Sequence, residues 1–110
     1  MKCFSLLLGA RNTPSGGDRF DPNEEEQIRS ITFRHFPDGF TILNANGGWF
    51  DPQVGKFVAE ESRQILVTAE RVGALRPWCD ELGAVLQQKE LLVVEMGAVH
   101  ALHPRPGHGQ

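Results

Sequence analysis

Two stripes of residues at helical spacing constrain this chain more than any other feature. The first is Ile28, Ile31, Thr32, His35 and Phe36; the second is Val72, Leu75, Cys79, Leu82 and Leu86. Steps of three and four residues place each set on one face of a helix, where an apolar surface must be buried against something. Between the stripes lie two strand-like runs, Phe40–Ala45 and Arg63–Thr68. One further run flanks each end, Lys2–Gly9 and Leu91–Glu95.

The order is therefore strand, helix, strand, strand, helix, strand. That is the split βαβ pattern of the α+β, ferredoxin-like folds: a four-stranded antiparallel sheet with two helices on one face. The opposite sheet face has no helix left to cover it. Local signals sharpen the boundaries. Asp21 is an N-cap, Pro22 suits the first helical position and Glu24 completes a capping box. Pro37 and Gly39 stop that helix. Pro77 predicts a kink or a broken first turn in the second helix. Asn46-Gly47-Gly48 interrupts the pattern before Trp49-Phe50, which predicts a bulge. Asp51–Gly55 is a turn, and Gly97 predicts a bend in the last strand. Residues 1–102 are expected to form one domain and His103–Gln110, rich in Pro, Gly and His, a disordered tail.

At 110 residues the chain fits one domain, and a chain of that size buries roughly 65% of its unfolded surface without disulfides or metal. The net charge of −3, with acids and bases interspersed, gives no footprint for nucleic acid. No run approaches the ~20 apolar residues of a membrane span. Phe4–Ala10 is too short for an export signal and is followed by Arg11, so it is a first strand, and a cytoplasmic location is expected. Cys3 and Cys79 sit in apolar contexts that favour small buried hydrophobes over reactive thiols, although Arg76 lies near Cys79.

Phe36-Pro37-Asp38-Gly39 with Thr41, then Gly47, Trp49 and Asp51, then Glu60, Ser62, Arg63, Ile65 and Leu66 form a recurring pattern. It resembles a family of small, functionally uncharacterised bacterial α+β proteins, many of them exported. Leu6–Gly9 and Gln88–Glu95 extend the resemblance to most of the chain. This sequence departs at His35, where the family usually has arginine, and at Glu61, where it tends to have proline. The resemblance implies a fold and a cluster of motif residues, and no reaction.

That cluster supplies the candidate ligand-binding residues. Pairing Ser62 near Trp49 would gather Trp49, Glu60, Ser62 and Arg63 at one end of the sheet as a polar recess, with His100 as a further candidate. The alternative is architectural: Arg63 pairs with Glu60 or Glu61 to close the hairpin and Trp49 caps the core edge. Ser62 with His100 lacks a nucleophile elbow. His100, His103 and His108 lack a carboxylate or thiolate to complete a ligand set, so no metal and no cofactor is expected. Gly47-Gly48 precedes no helix and is no phosphate loop. His35 is expected to be half-buried with a backbone partner.

Three functional readings follow. The leading one is a non-catalytic interaction module, a homodimer joined through the open sheet face, binding a protein partner or small ligand but neither nucleic acid nor membrane. The second is a cofactor-free small-molecule enzyme like dimeric α/β-barrel proteins, using Trp49, Glu60, Arg63 and His100. The third is a toxin-, defence- or phage-associated partner protein.

Overall fold

A computed structural model of the chain describes residues 1–11 and 13–107. Helix α1 (Pro22–His35) starts where its cap dictates. Asp21 Oδ1 accepts the Glu24 N–H at 2.7 Å while Glu24 Oε1 accepts the Asp21 N–H at 3.0 Å. Two of the helix's orphan donors are thereby satisfied reciprocally. Helix α2 (Arg76–Val85) is preceded by a single 3-10 turn over Val72–Leu75. Pro77 falls in its first turn, where a missing N–H costs no hydrogen bond, so the broken first turn is the outcome.

The strands are β1 (Lys2–Gly9), β2 (Thr41–Asp51), β3 (Lys56–Ala69) and β4 (Leu92–Ala98). They lie in the order β2-β3-β1-β4, antiparallel throughout. This is the ferredoxin-like sheet expected from the element order. Phe4, Leu6 and Leu8 of β1 and Ile65 and Val67 of β3 pack with Ile28, Ile31, Leu75, Trp78, Leu82 and Leu86 in one core. Trp78 Nε1 donates to Thr32 Oγ1 at 3.1 Å, and the Trp78 ring meets Phe36 edge-on at 5.0 Å. A buried indole thus has both an apolar body and a satisfied polar tip.

The expected bulge at Asn46-Gly47-Gly48 does not form. All of β2 pairs with β3 in one register, from Thr41 opposite Leu66 to Asp51 opposite Lys56. Gly48 is there for a different reason: a Cβ at that position would lie 2.3 Å from Phe57 Cε1, because the ring crosses the strand at that point. Glycine permits the approach rather than marking an extra residue. The irregularity lies in β4 instead. Cys3 faces Gly97 and Phe4 faces Glu95, leaving Met96 as the extra residue. The strand ends at Ala98, and no helix or strand follows through Gly107. His108–Gln110 of the expected tail lie outside the described residues.

β1 accompanies β3 only as far as Gly9 opposite Ser62. Beyond that pair the β2–β3 hairpin continues as a two-stranded arm. The arm and the exposed segment after β4 together give a radius of gyration of 16.6 Å; a compact chain of this length would have about 13 Å.

Candidate functional site

Strand alternation sends Phe4, Leu6, Leu8, Ile65 and Val67 toward the helices and the intervening residues to the other face. That face carries Leu7 and Leu43, each 42% exposed, with Leu92 at 56% and Val94 at 47%. An antiparallel sheet with one face in water normally alternates apolar-in and polar-out. Here the outward positions are mixed: Leu7, Leu92 and Val94 adjoin one another, while Gln64 separates Leu7 from Leu43 and Thr41, Ser62 and Thr68 lie around them. Ser5 sits among them, opposite Leu66 and Val94, 2% exposed and with no hydrogen-bond partner for its hydroxyl.

A polar corner adjoins the Leu7–Leu92 edge of this face. The Glu60 carboxylate lies over Gly9 and accepts the Arg11 N–H at 2.8 Å. The Arg11 guanidinium stands 4.0 Å from the centre of the Trp49 ring, a cation–π stack. Trp49 Nε1 is buried without a partner. An open recess of about 740 Å³ runs from this corner past Leu7 and Leu92 to Gln87–Glu90, and a smaller one of about 230 Å³ lies on the Gly16–Asp18 side.

The structure brings Trp49, Glu60 and Ser62 to this side of the sheet, and does not bring Arg63 or His100 to them. Arg63 is 5% exposed and points to the helix side, over the Phe20 ring at 4.9 Å. Its guanidinium bonds Glu25, Glu61 at 3.0 Å and the Ser62 carbonyl at 3.0 Å. The expected recess shared with Glu60 is therefore corrected: residues 60 and 63 differ by an odd step, and pleating sends them to opposite faces. Of the two architectural partners expected, Glu61 is the one used. His100 follows β4 at the Met1 end of the sheet, where the Val99 N–H donates to the Met1 carbonyl at 3.1 Å. Ser62 stands opposite Gly9 at the other end.

Arg11 and Gly9 were not among the sequence candidates. The signal that points to them is a glycine ending an otherwise apolar strand, followed two residues later by a cation. His35 meets a carboxylate rather than the expected backbone group: Nε2 lies 2.8 Å from Glu81 Oε1. Hydrogen bonds from Arg34 and then His35 hold the Glu81 carboxyl below the usual range. Burial pushes the Cys79 thiol up and Arg76 offsets this only in part, so the site gains no reactive thiolate. Among the described residues no group of three or more His, Cys, Asp or Glu side chains is placed to hold a metal ion.

With this geometry established, comparison with known proteins gives three findings. The pattern of a family of proteins of unknown function, DUF3574, matches residues 5–90. No curated protein matches the sequence. Among solved structures, the periplasmic divalent cation tolerance protein CutA from Archaeoglobus fulgidus superposes with a TM-score of 0.60 at 14% identity, covering 93% of this chain and 88% of that one. A phage SAM lyase in complex with S-methyl-5'-thioadenosine gives 0.58 at 17% identity, over 92% and 85%. CutA1 from Oryza sativa gives 0.59 at 8% identity, over 93% and 84%. At these identities the likeness is one of fold.

Proposed function

The chain belongs to the DUF3574 family of proteins of unknown function, and we propose that it works as a self-associating interaction module whose open sheet face meets another copy. One observation carries this reading: Leu7, Leu43, Leu92 and Val94 share a face that neither helix covers. Burying the exposed part of four such side chains contributes about 1 kcal/mol each. Exposed contiguous apolar patches mark interaction surfaces. The structural neighbours include a cation tolerance protein and a lyase, so their names do not agree on an activity that this chain would share. Cofactor-free catalysis is disfavoured by the separation of Arg63 and His100 from Trp49 and Glu60.

Size-exclusion chromatography with light scattering tests the reading. The expected result is a dimer mass for the natural chain at micromolar concentration and a monomer mass for Val94→Glu, with unchanged far-UV circular dichroism. A natural chain that stays monomeric at hundreds of micromolar would sink it.

A further inference from the structure

Phe50 and Phe57 form a second exposed apolar patch on the reverse of the hairpin from the open face. They face each other across β2 and β3 and are 58% and 74% exposed. They share their side of the hairpin with Ile42 and Ile65, whereas Trp49 and Val58 share the open side. No third strand runs beside this ribbon beyond Gly9 and Ser62; the loop after β1 bonds its base at Glu60 and Glu61 and stacks Arg11 on Trp49, leaving the Phe50–Phe57 end without a neighbour. An isolated two-stranded hairpin is marginal in water. Contact between two open faces would cover Leu92 and Val94 but leave both phenylalanines in water.

We propose that the arm of one copy lies across the open face of a second, with Phe50 and Phe57 packing on Leu7, Leu92 and Val94. This rests on the self-association reading and specifies its contact. Size argues for this contact. Four strands as long as the eight-residue β1 outline roughly 26 by 19 Å, or about 500 Å². That falls short of the ~800 Å² per partner typical of a stable complex. A copy that offers both a face and an arm adds two aromatic side chains of about 150–250 Å² each. In a two-fold pair the exchange is reciprocal, each arm on the other's face.

The test uses two full-length variants, Phe50→Ser with Phe57→Ser on the arm and Val94→Glu on the face. Each alone is expected to run as a monomer with native circular dichroism. Mixed in equal amounts they should form a dimer at least tenfold weaker than the natural one, because one of two contacts survives. A dimeric arm variant beside a monomeric Val94→Glu overturns the arm contact and leaves the face reading standing. No dimer on mixing also overturns the arm contact. If both variants stay dimeric, or the natural chain is monomeric, both readings fail. A variant-free measurement covers misfolding of the serine pair: amine cross-linking of mixed light- and heavy-isotope natural protein. Lys56 on the arm should link to Lys89 or Lys2 of the differently labelled copy, and mixed-isotope links that all avoid Lys56 overturn the proposal.

Discussion

The Glu60 carboxylate stands where a side chain on Gly9 would be: a Cβ there would lie 2.9 Å from Oε1 and 3.0 Å from Oε2. Gly9 thus lets a residue of β3 reach across β1 and hold the Arg11 N–H. In Gly9→Ala the flexible end of Glu60 should swing away rather than the backbone move. Losing the hydrogen bond costs about 0.5–1.5 kcal/mol, and replacing a strand glycine returns about 0.5–1 kcal/mol. The melting temperature should therefore change by only a few degrees, while the Arg11 amide exchanges with solvent much faster. An Arg11 amide as protected as in the natural chain would show that Glu60 does not hold it.

Arg63 joins three elements, bonding Glu25 of α1, Glu61 of its own strand and lying over Phe20 in the connecting loop. Removing one partner of a buried ion pair costs about 3–5 kcal/mol. Here Glu25 and Glu61 are 41% and 30% exposed, so water takes up part of the orphaned charge and a loss of about 2 kcal/mol is expected for Arg63→Ala. Arg63→Lys should recover less than half of it, since one ammonium cannot reproduce the forked donors. Urea unfolding at pH 7 measures both, and an Arg63→Ala loss below about 0.5 kcal/mol would remove the ion cluster from the account of stability.

The contrast between Glu60 and Arg63 shows what the sequence made legible. Element order, the Asp21–Glu24 cap and the first stripe follow from spacing and are present, whereas the second stripe holds only from Leu75 through Leu82 to Leu86: Val72 falls in the 3-10 turn and is exposed, and Cys79 is half-buried. The β2–β3 connection departs from the sequence expectation in two ways. Gly47-Gly48 looked like an interruption because propensity weighs glycine against a strand, whereas Phe57 across the hairpin required it. Grouping Glu60 with Arg63 treated nearness in sequence as nearness in space and overlooked the period of two that separates them. Trp78, outside the expected stripe, is buried because Thr32 on α1 and Phe36 at its C-cap receive it. That burial depends on partners more than forty residues away.

Thr32 and Trp78 offer a sharper packing test. The hydroxyl is the acceptor for a buried indole N–H. Thr32→Val keeps the shape and removes the acceptor, so the N–H is left unsatisfied at a cost of about 1–3 kcal/mol. Thr32→Ser keeps the acceptor and loses one methyl group, about 1 kcal/mol. Valine should therefore be the worse substitution, by guanidinium unfolding and by a shift in Trp fluorescence. If serine proves worse, packing rather than the hydrogen bond dominates the site.

Glu24 ties stability to acid. Burial alone would raise its pKa, but N–H donors from Asp21 and Ser15 and the Ser15 hydroxyl outweigh burial and hold it below the ordinary value of 4.5. Those same bonds fasten the loop before α1 onto the helix start. A carboxyl with a lower pKa in the folded chain binds its proton more readily when unfolded. Its stabilisation is then complete above about pH 4.5 and is lost as pH falls through the folded value. Glu24→Gln should lose about 1–3 kcal/mol at pH 7, and its urea midpoint should fall less than the natural chain's between pH 5 and pH 3. Parallel curves for the two proteins across that window would show that the proton acts elsewhere.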